Sequence, residues 1–295
     1  MSNGTIQAEL IAVLVAVTGG DPRVLTIENG YALPSGALET GHRSLQSGLR
    51  AWVERLTHHP LGYVEQLYTF ADQQRLHHSR SISISYLALS REAAAQYPEA
   101  SWHSWYDYFP WEDRRHVADP SPDGEILPRL RAWAGESPER RTRVAGLFGL
   151  DERRWNEELV LQRYELLFEA GLIPEAQRNT AAAPAVPGAE MTNDHRRILA
   201  TAIARLRAKI KYRPVVFELL PRDFTLLDLQ QTMEALAGQA LHKPNFRRFI
   251  EQQELVEETG KFTSGLAGRP AKLFRFRSSV LEERGFSGTK LPLVR

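Results

Sequence analysis

A short segment near the C terminus places an amide and two guanidinium groups where they could recognise nucleic acid. Asn245, Arg247 and Arg248 follow Pro244, which suits the first turn of a helix. In the major groove of DNA, arginine pairs with guanine O6/N7 and asparagine pairs with adenine N6/N7. Helical spacing directs these residues and Gln252 outward, and it directs three apolar residues inward: Phe246, Phe249 and Ile250. The pattern predicts a recognition helix for double-stranded DNA.

A second helix must precede the recognition helix, and the sequence supplies one over residues 224–237. Thr225 can cap it by accepting a hydrogen bond from the backbone N–H of Asp228, whose carboxylate completes a capping box. Phe224 and Leu229 occupy the hydrophobic-staple positions, and Gly238 ends the helix. Two helices joined by a short turn are typical of a helix-turn-helix motif.

A β-hairpin wing is expected after the two helices, from residues 255–258 and 271–277. Residues 242–277 contain eight Lys or Arg and four Glu. We expect four of these cations mainly to bind phosphates: Lys243, Lys261, Arg269 and Lys272. A small winged helix used for protein contacts is the alternative at this point.

The charge is divided between the two ends of the chain. Residues 1–192 contain 18 Arg, no Lys and 25 Asp or Glu, whereas residues 193–295 contain 19 Lys or Arg and 11 Asp or Glu. The overall net charge of +1 hides this asymmetry. It indicates an acidic body joined to a module that faces nucleic acid.

The composition excludes several other classes of protein. Because none of the 295 residues is cysteine, a disulfide scaffold, a thiolate nucleophile and a cysteine-ligated metal are excluded. The longest apolar run is too short to span a membrane, and no basic region precedes it as in a signal peptide. We expect a cytoplasmic protein of two domains with no membrane partner.

The N-terminal half has strand patterns interrupted by one helix, which predicts an α/β layer arrangement. The expected strands are residues 8–17, 23–27, 63–70 and 81–89, and the expected helix is 44–56. An aromatic-rich stretch follows at 102–111. Further helices are expected at 152–170 and 194–212, on either side of a linker at 179–190.

Residues 194–276 resemble the Nudix-related transcriptional regulators (NrtR), which repress NAD biosynthesis and some sugar catabolism. The matching segments are 194–195, 198–199, 204–207, 209–212, 217–221, 224–226, 245–248 and 268–276. The divergent NadQ-type repressors are the most similar subgroup. The resemblance implies an effector domain at residues 1–212 and a winged helix domain at 213–295. It also implies a homodimer that reads a palindromic operator.

The N-terminal region is similar to the Nudix domain of the same family, through segments 33–36, 62–70 and 81–89. Residues 95–191 have little counterpart there and predict a helical insertion. The expected fold is therefore an α/β Nudix-like sandwich with a helical insertion, followed by a C-terminal winged helix-turn-helix.

The Nudix hydrolase motif is degenerate in this sequence. Three of its glutamate positions hold His42, Ala51 and Arg55, although Glu54 and the spacing up to Arg50 are kept. The glutamates of the motif bind Mg²⁺, which prefers carboxylate oxygens. Since one carboxylate beside an arginine is a poor magnesium site, we predict no catalytic residue and no metal site.

A domain that has lost hydrolysis can still bind a nucleoside diphosphate, which suits a sensor. Arg50 or Arg55 could pair with a phosphate or, equally, with a surface carboxylate. Trp105 could stack on an adenine ring, although aromatic residues at this density are more often part of a core. The expected effector is ADP-ribose, NAD or ATP, and no cofactor is required.

Three hypotheses follow. The first is a repressor of NAD-biosynthesis genes that senses an adenine-containing metabolite. The second is a divergent Nudix-type hydrolase of nucleoside diphosphates, dependent on Glu54, with a basic tail. The third is a protein–protein adaptor that binds neither DNA nor nucleotide.

Overall fold

The computed structural model describes residues 7–38, 44–57, 62–70, 81–92, 100–116, 122–178, 186–211, 215–263 and 270–278. A mixed sheet forms the centre of the N-terminal domain. Its strands are β1 (Gln7–Thr18), β2 (Asp21–Thr26), β3 (Ser35–Ala37), β4 (Val64–Phe70), β5 (Ser81–Leu89) and β6 (Ser101–Ser104). The order is β4-β5-β1-β2-β6, with β3 paired to β1. β1 and β5 are parallel, and the other pairs are antiparallel.

Both faces of β1 are buried, which explains its unbroken apolar sequence. Leu10, Ala12 and Leu14 pack on one side with Leu49 and Val53 of α1 (Leu45–Thr57). The alternate residues of β1 pack on the other side, which α7 (His195–Lys209) covers. The strands and the helix predicted for this half are confirmed.

A helical region separates β6 from α7. It contains α2 (Trp105–Tyr108), α3 (Pro122–Ala134), α4 (Pro138–Phe148), α5 (Val160–Glu169) and α6 (Pro174–Gln177). β6 lies within the range predicted as an insertion, yet it pairs with β2 and extends the sheet.

The helix predicted at 152–170 is wrong in its first half, because α5 begins only at Val160. Asp151 and Glu152 have left-handed backbone angles, with φ of 53° and 65°. The side chain of Asn156 then accepts a hydrogen bond of 2.9 Å from the backbone N–H of Glu158. Such local side-chain bonds compete with helix formation.

The C-terminal domain consists of α8 (Leu226–Ala237), α9 (Lys243–Gln253), β7 (Val256–Phe262) and β8 (Lys272–Phe276). The Thr225–Asp228 capping box is present, and Gly238 ends α8 with φ of 69°. Phe224 exchanges two backbone hydrogen bonds with Phe274, of 2.9 and 2.7 Å, which ties the start of α8 to the β7–β8 hairpin. This is the winged helix arrangement expected from the sequence.

The predicted domain boundary at 212/213 lies outside the described residues. None of the described helices is long and apolar enough to cross a membrane.

Candidate nucleic-acid interface and its link to the N-terminal domain

Two buried residues attach α9 to the winged helix core. Phe246 and Ile250 are 7% and 4% exposed. Asn245, Arg247 and Arg248 are exposed on the outer surface of the helix, in the orientation that helical spacing predicted. Their contact with DNA stays a prediction.

Phe249 does not face the core, so the prediction for this residue is wrong. Its exposed fraction is 47%. At 100° per residue, Phe249 lies about 80° from the midpoint between Phe246 and Ile250. The buried stripe of α9 does not extend 80° from its midpoint, so the phenyl ring of Phe249 lies at its exposed edge.

The cations of α9 are available to an external partner. Lys243, Arg247 and Arg248 are exposed and form no ion pair with any residue that the structure describes. A DNA phosphate or base can therefore bind these groups without displacing a described carboxylate.

The cations of the wing are paired instead. Lys261 Nζ lies 3.0 Å from Asp223 Oδ2, and Lys272 Nζ lies 2.8 Å from Glu258 Oε1. Because phosphate must replace a carboxylate at these positions, we expect a smaller net gain there than on α9. Arg269 lies outside the described residues.

The predicted effector contacts of the N-terminal domain are only partly visible. Arg50 Nη2 donates a hydrogen bond of 3.2 Å to the carbonyl oxygen of Gly62. The carboxylate of Glu218 occupies the space that a Cβ at Gly62 would fill, so a larger residue here would have to displace that side chain. Arg50 of α1 and Glu218, which lies shortly before α8, therefore both contact Gly62. Arg55 lies on α1, but its side chain and all of His42 lie outside the described part of the chain.

Trp105 is fully buried, at 0% exposed, and packs edge-on against Tyr106. A ring in this position cannot stack on a bound base unless the core opens. Its burial argues against the effector contact predicted for it and favours the alternative that the aromatic run belongs to the core.

The residues on α1 do not fit a Nudix magnesium site. Ala51 is exposed and supplies no oxygen, and Glu54 is the one retained carboxylate of the motif on this helix. Among the described residues, no group of three or more acidic or histidine side chains could hold a metal ion. The absence of metal and of catalysis stays a prediction.

A buried ionic network joins the two domains. Glu112 Oε1 lies 2.5 Å from Arg163 Nε, and Glu112 Oε2 lies 2.6 Å from Arg207 Nη1. All three side chains are 0% exposed. Arg207 Nε also donates to the carbonyl oxygen of Leu236, at 2.9 Å, in the last turn of α8. The C-terminal end of α8 is thus held by an arginine of the N-terminal domain.

One carboxylate faces two guanidinium groups in this network, and backbone carbonyls compensate the second positive charge. Arg163 Nη1 donates to the carbonyl oxygens of Leu147, at 3.0 Å, and Asn156, at 2.9 Å. Leu147 and Leu236 lie in the last turns of α4 and α8, where the helix dipole is negative. Burial alone would raise the pKa of Glu112, but the charges of Arg163 and Arg207 outweigh burial and lower it.

This network was not predicted from the sequence. Its members come from distant parts of the chain, with Glu112 and Arg163 51 positions apart and Glu112 and Arg207 95 positions apart. A signal was present, because Arg163 and Arg207 lie beside the buried residues Tyr164 and Leu206 of amphipathic helices. A charged residue inside an apolar stripe is rarely buried without a partner.

The fold and the exposed basic helix define a class: a Nudix-like domain joined to a C-terminal winged helix domain. The crystal structure of Shewanella oneidensis NrtR complexed with a 27mer DNA has the same fold, with a TM-score of 0.58, over 93% of this chain and 95% of that one. Its sequence identity is 20%. A MutT/nudix family protein from Enterococcus faecalis also matches, with a TM-score of 0.53 and 16% identity, over 94% of this chain and 88% of that one.

Residues 216–276 match the family model of the NrtR DNA-binding winged helix domain. The chain is also similar to the ADPR responsive transcriptional repressor NtrR of Acinetobacter baylyi, with 41% identity over 88 residues. That match covers 30% of this chain and about a third, 34%, of the relative.

Proposed function

We propose that this protein is a DNA-binding transcriptional repressor of NAD-biosynthesis genes that senses ADP-ribose through its Nudix-like domain. The observation that carries the proposal is the outer surface of α9, where Asn245, Arg247 and Arg248 are exposed without a described ionic partner. The NrtR winged helix family of this domain and the ADPR responsive relative support the same function.

The helix and the wing have different parts in this proposal. Asn245, Arg247 and Arg248 read bases or adjacent phosphates, and Lys243 binds a phosphate at the start of α9. Lys261, Arg269 and Lys272 bind phosphates from the wing and set the affinity and its salt dependence. The protein acts as a homodimer on a palindromic operator, so that each copy of α9 reads one half-site.

ADP-ribose is the proposed effector, and NAD and ATP are the competing ligands to be tested beside it. Its diphosphate would pair with Arg50 or Arg55 of α1. Trp105 is left out of this site because it is buried. The domain binds the nucleotide without hydrolysing it, because three of the four glutamates of the motif are replaced and only Glu54 is kept. Incubation of ADP-ribose with the protein and Mg²⁺ should release no AMP, and release that Glu54→Gln abolishes would contradict this part.

DNA recognition is tested by selecting duplexes from a randomised pool with the full chain, followed by gel shifts at two salt concentrations. Arg248→Ala should relax selectivity at one base pair of each half-site, by about 1–3 kcal/mol. Lys243→Ala should weaken binding to all sequences alike and reduce the salt slope by about one. Lys261→Ala should have a smaller effect of the same kind, because Lys261 is already paired with Asp223.

Arg143→Ala is the matched control, because Arg143 pairs with Glu169 at 2.7 Å on the surface of the N-terminal domain. We expect it to bind like the wild type. A pool in which no sequence is enriched would contradict the proposed function.

A further inference from the structure

Phe249 is an aromatic side chain on the outer surface of α9, and packing in the core does not explain why an aromatic residue is exposed there. Its side chain is 47% exposed, and the other exposed residues of the helix that follow Pro244 are polar or charged. Asn245, one turn earlier, and Gln252, one turn later, are exposed on the same side of the helix. At 100° per residue, these three residues fall within an arc of about 60°.

The chemistry of this arc suits A·T base pairs. Asparagine and glutamine amides pair with adenine N6/N7 in the major groove, and the thymine methyl group is the apolar feature of the same groove. Asn245 and Phe249 are separated by about 6 Å along the helix axis, which corresponds to about two base steps. An amide and a phenyl ring at this spacing can therefore contact two A·T pairs that are about two base steps apart.

The charges beside the arc favour DNA over an apolar protein partner. Arg248 adjoins Phe249 on the outer surface, and Arg247 and Lys243 lie on the same helix, all without a described carboxylate partner. Duplex DNA complements this arrangement because it presents phosphates along the edges of a groove whose floor carries the methyl groups.

We infer that Phe249 is a specificity-determining residue that contacts a thymine methyl group in each half-site, about two base steps from the base read by Asn245. The inference rests on the proposed function and deepens it, because it assigns selectivity for A·T pairs to an apolar contact.

The test combines a protein substitution with the removal of one methyl group from the DNA. The duplex selected by the wild-type full chain is synthesised with deoxyuridine in place of each thymidine in turn, which deletes only the 5-methyl group. At one position per half-site, deoxyuridine should weaken wild-type binding about fourfold, the change expected for one buried methyl group. Phe249→Ala should weaken binding to the thymidine duplex at least as much and show no further loss with deoxyuridine.

Two variants serve as controls. Phe249→Leu keeps an apolar contact and should retain part of the thymidine preference. Phe168→Ala removes a phenyl ring that is 44% exposed on α5, outside the winged helix domain, and should leave DNA binding unchanged.

The outcomes separate this inference from the proposed function. If the wild type selects no sequence, the proposed function fails and the inference falls with it. If a sequence is selected but no deoxyuridine position weakens binding, or if Phe249→Ala retains the full deoxyuridine effect, the inference alone is overturned. A change in oligomeric state on Phe249→Ala, with no deoxyuridine effect in the wild type, would assign the ring to a contact between copies of this chain and would also overturn it.

Discussion

The Nη1 atom of Arg207 lies 2.6 Å from Oε2 of Glu112, and both side chains are fully buried between the N-terminal domain and the end of α8. Arg207 belongs to α7, which also packs on the central sheet. A side chain of the helix that covers the sheet thus contacts the helix that precedes α9. The arrangement provides a direct, buried connection between the domain proposed to bind effector and the domain proposed to bind DNA.

Removal of the negative charge at Glu112 should strongly destabilise the protein. Glu112→Gln leaves the guanidinium groups of Arg163 and Arg207 buried without a counter-charge, and we expect the free energy of unfolding to fall by about 3–5 kcal/mol. Urea unfolding followed by circular dichroism measures this change. Glu158→Gln is the control, because the Glu158–Lys211 pair is 36% and 48% exposed and should contribute less than about 1 kcal/mol. Equal effects of the two substitutions would contradict the structural account.

The contribution of Glu112 should also depend on pH. Its pKa in the folded protein is lowered from the ordinary value of 4.5, because the two arginines outweigh the effect of burial. Its stabilising contribution is therefore fully present above about pH 4.5 and is lost as the pH falls through the lower folded-state pKa. The stability difference between wild type and Glu112→Gln should be constant near neutral pH and shrink in acid. A difference that grows on acidification would contradict the lowered pKa.

Loss of the N-terminal cap of α8 should lower the free energy of unfolding by a moderate, measurable amount. The Thr225 hydroxyl accepts the Asp228 N–H at 3.1 Å, and the Asp228 carboxylate accepts the Thr225 N–H at 2.8 Å. Thr225→Ala should lower the free energy of unfolding by about 1 kcal/mol, whereas Thr225→Ser keeps the hydroxyl and should cost much less. The free energies are compared from the urea midpoints of the variants, provided that the dependence on urea concentration has the same slope in each. A serine variant as unstable as the alanine variant would contradict the role of the cap.

Arg207 should control how firmly the winged helix is attached. Arg207→Leu removes the bonds to Glu112 and to the Leu236 carbonyl, so we expect faster hydrogen exchange around Gly238. Arg205→Leu is the matched control, because Arg205 lies on the same helix with its side chain exposed. Unchanged hydrogen exchange in Arg207→Leu would show that the network does not hold the end of α8.

We also expect Arg207→Leu to reduce the effect of ADP-ribose on DNA affinity.

Local signals made much of the fold predictable from the sequence. Thr225, Asp228 and Gly238 set the ends of α8 through contacts within a few residues, and Pro244 lies in the first turn of α9 as expected. The apolar run of β1 predicted a buried strand, and the structure shows that both of its faces are buried.

The parts that failed depend on contacts between distant segments. The Glu112–Arg207 pair joins residues 95 positions apart, and periodicity carries no information on such a pair. Phe249 was assigned to the core from helical spacing, whereas the width of the surface that α9 covers decides its exposure. The shortened helix at α5 has a local cause instead, the left-handed backbone at Asp151 and Glu152.

The central claim is that one protein couples ADP-ribose binding to sequence-selective DNA binding. The most direct test titrates the full chain onto its selected duplex with and without saturating ADP-ribose, and then titrates ADP-ribose onto the protein with and without that duplex. Linkage requires the same factor in both directions, and we expect a change of about fivefold or more. Selective DNA binding that ADP-ribose does not alter, together with ADP-ribose affinity that DNA does not alter, would contradict the account.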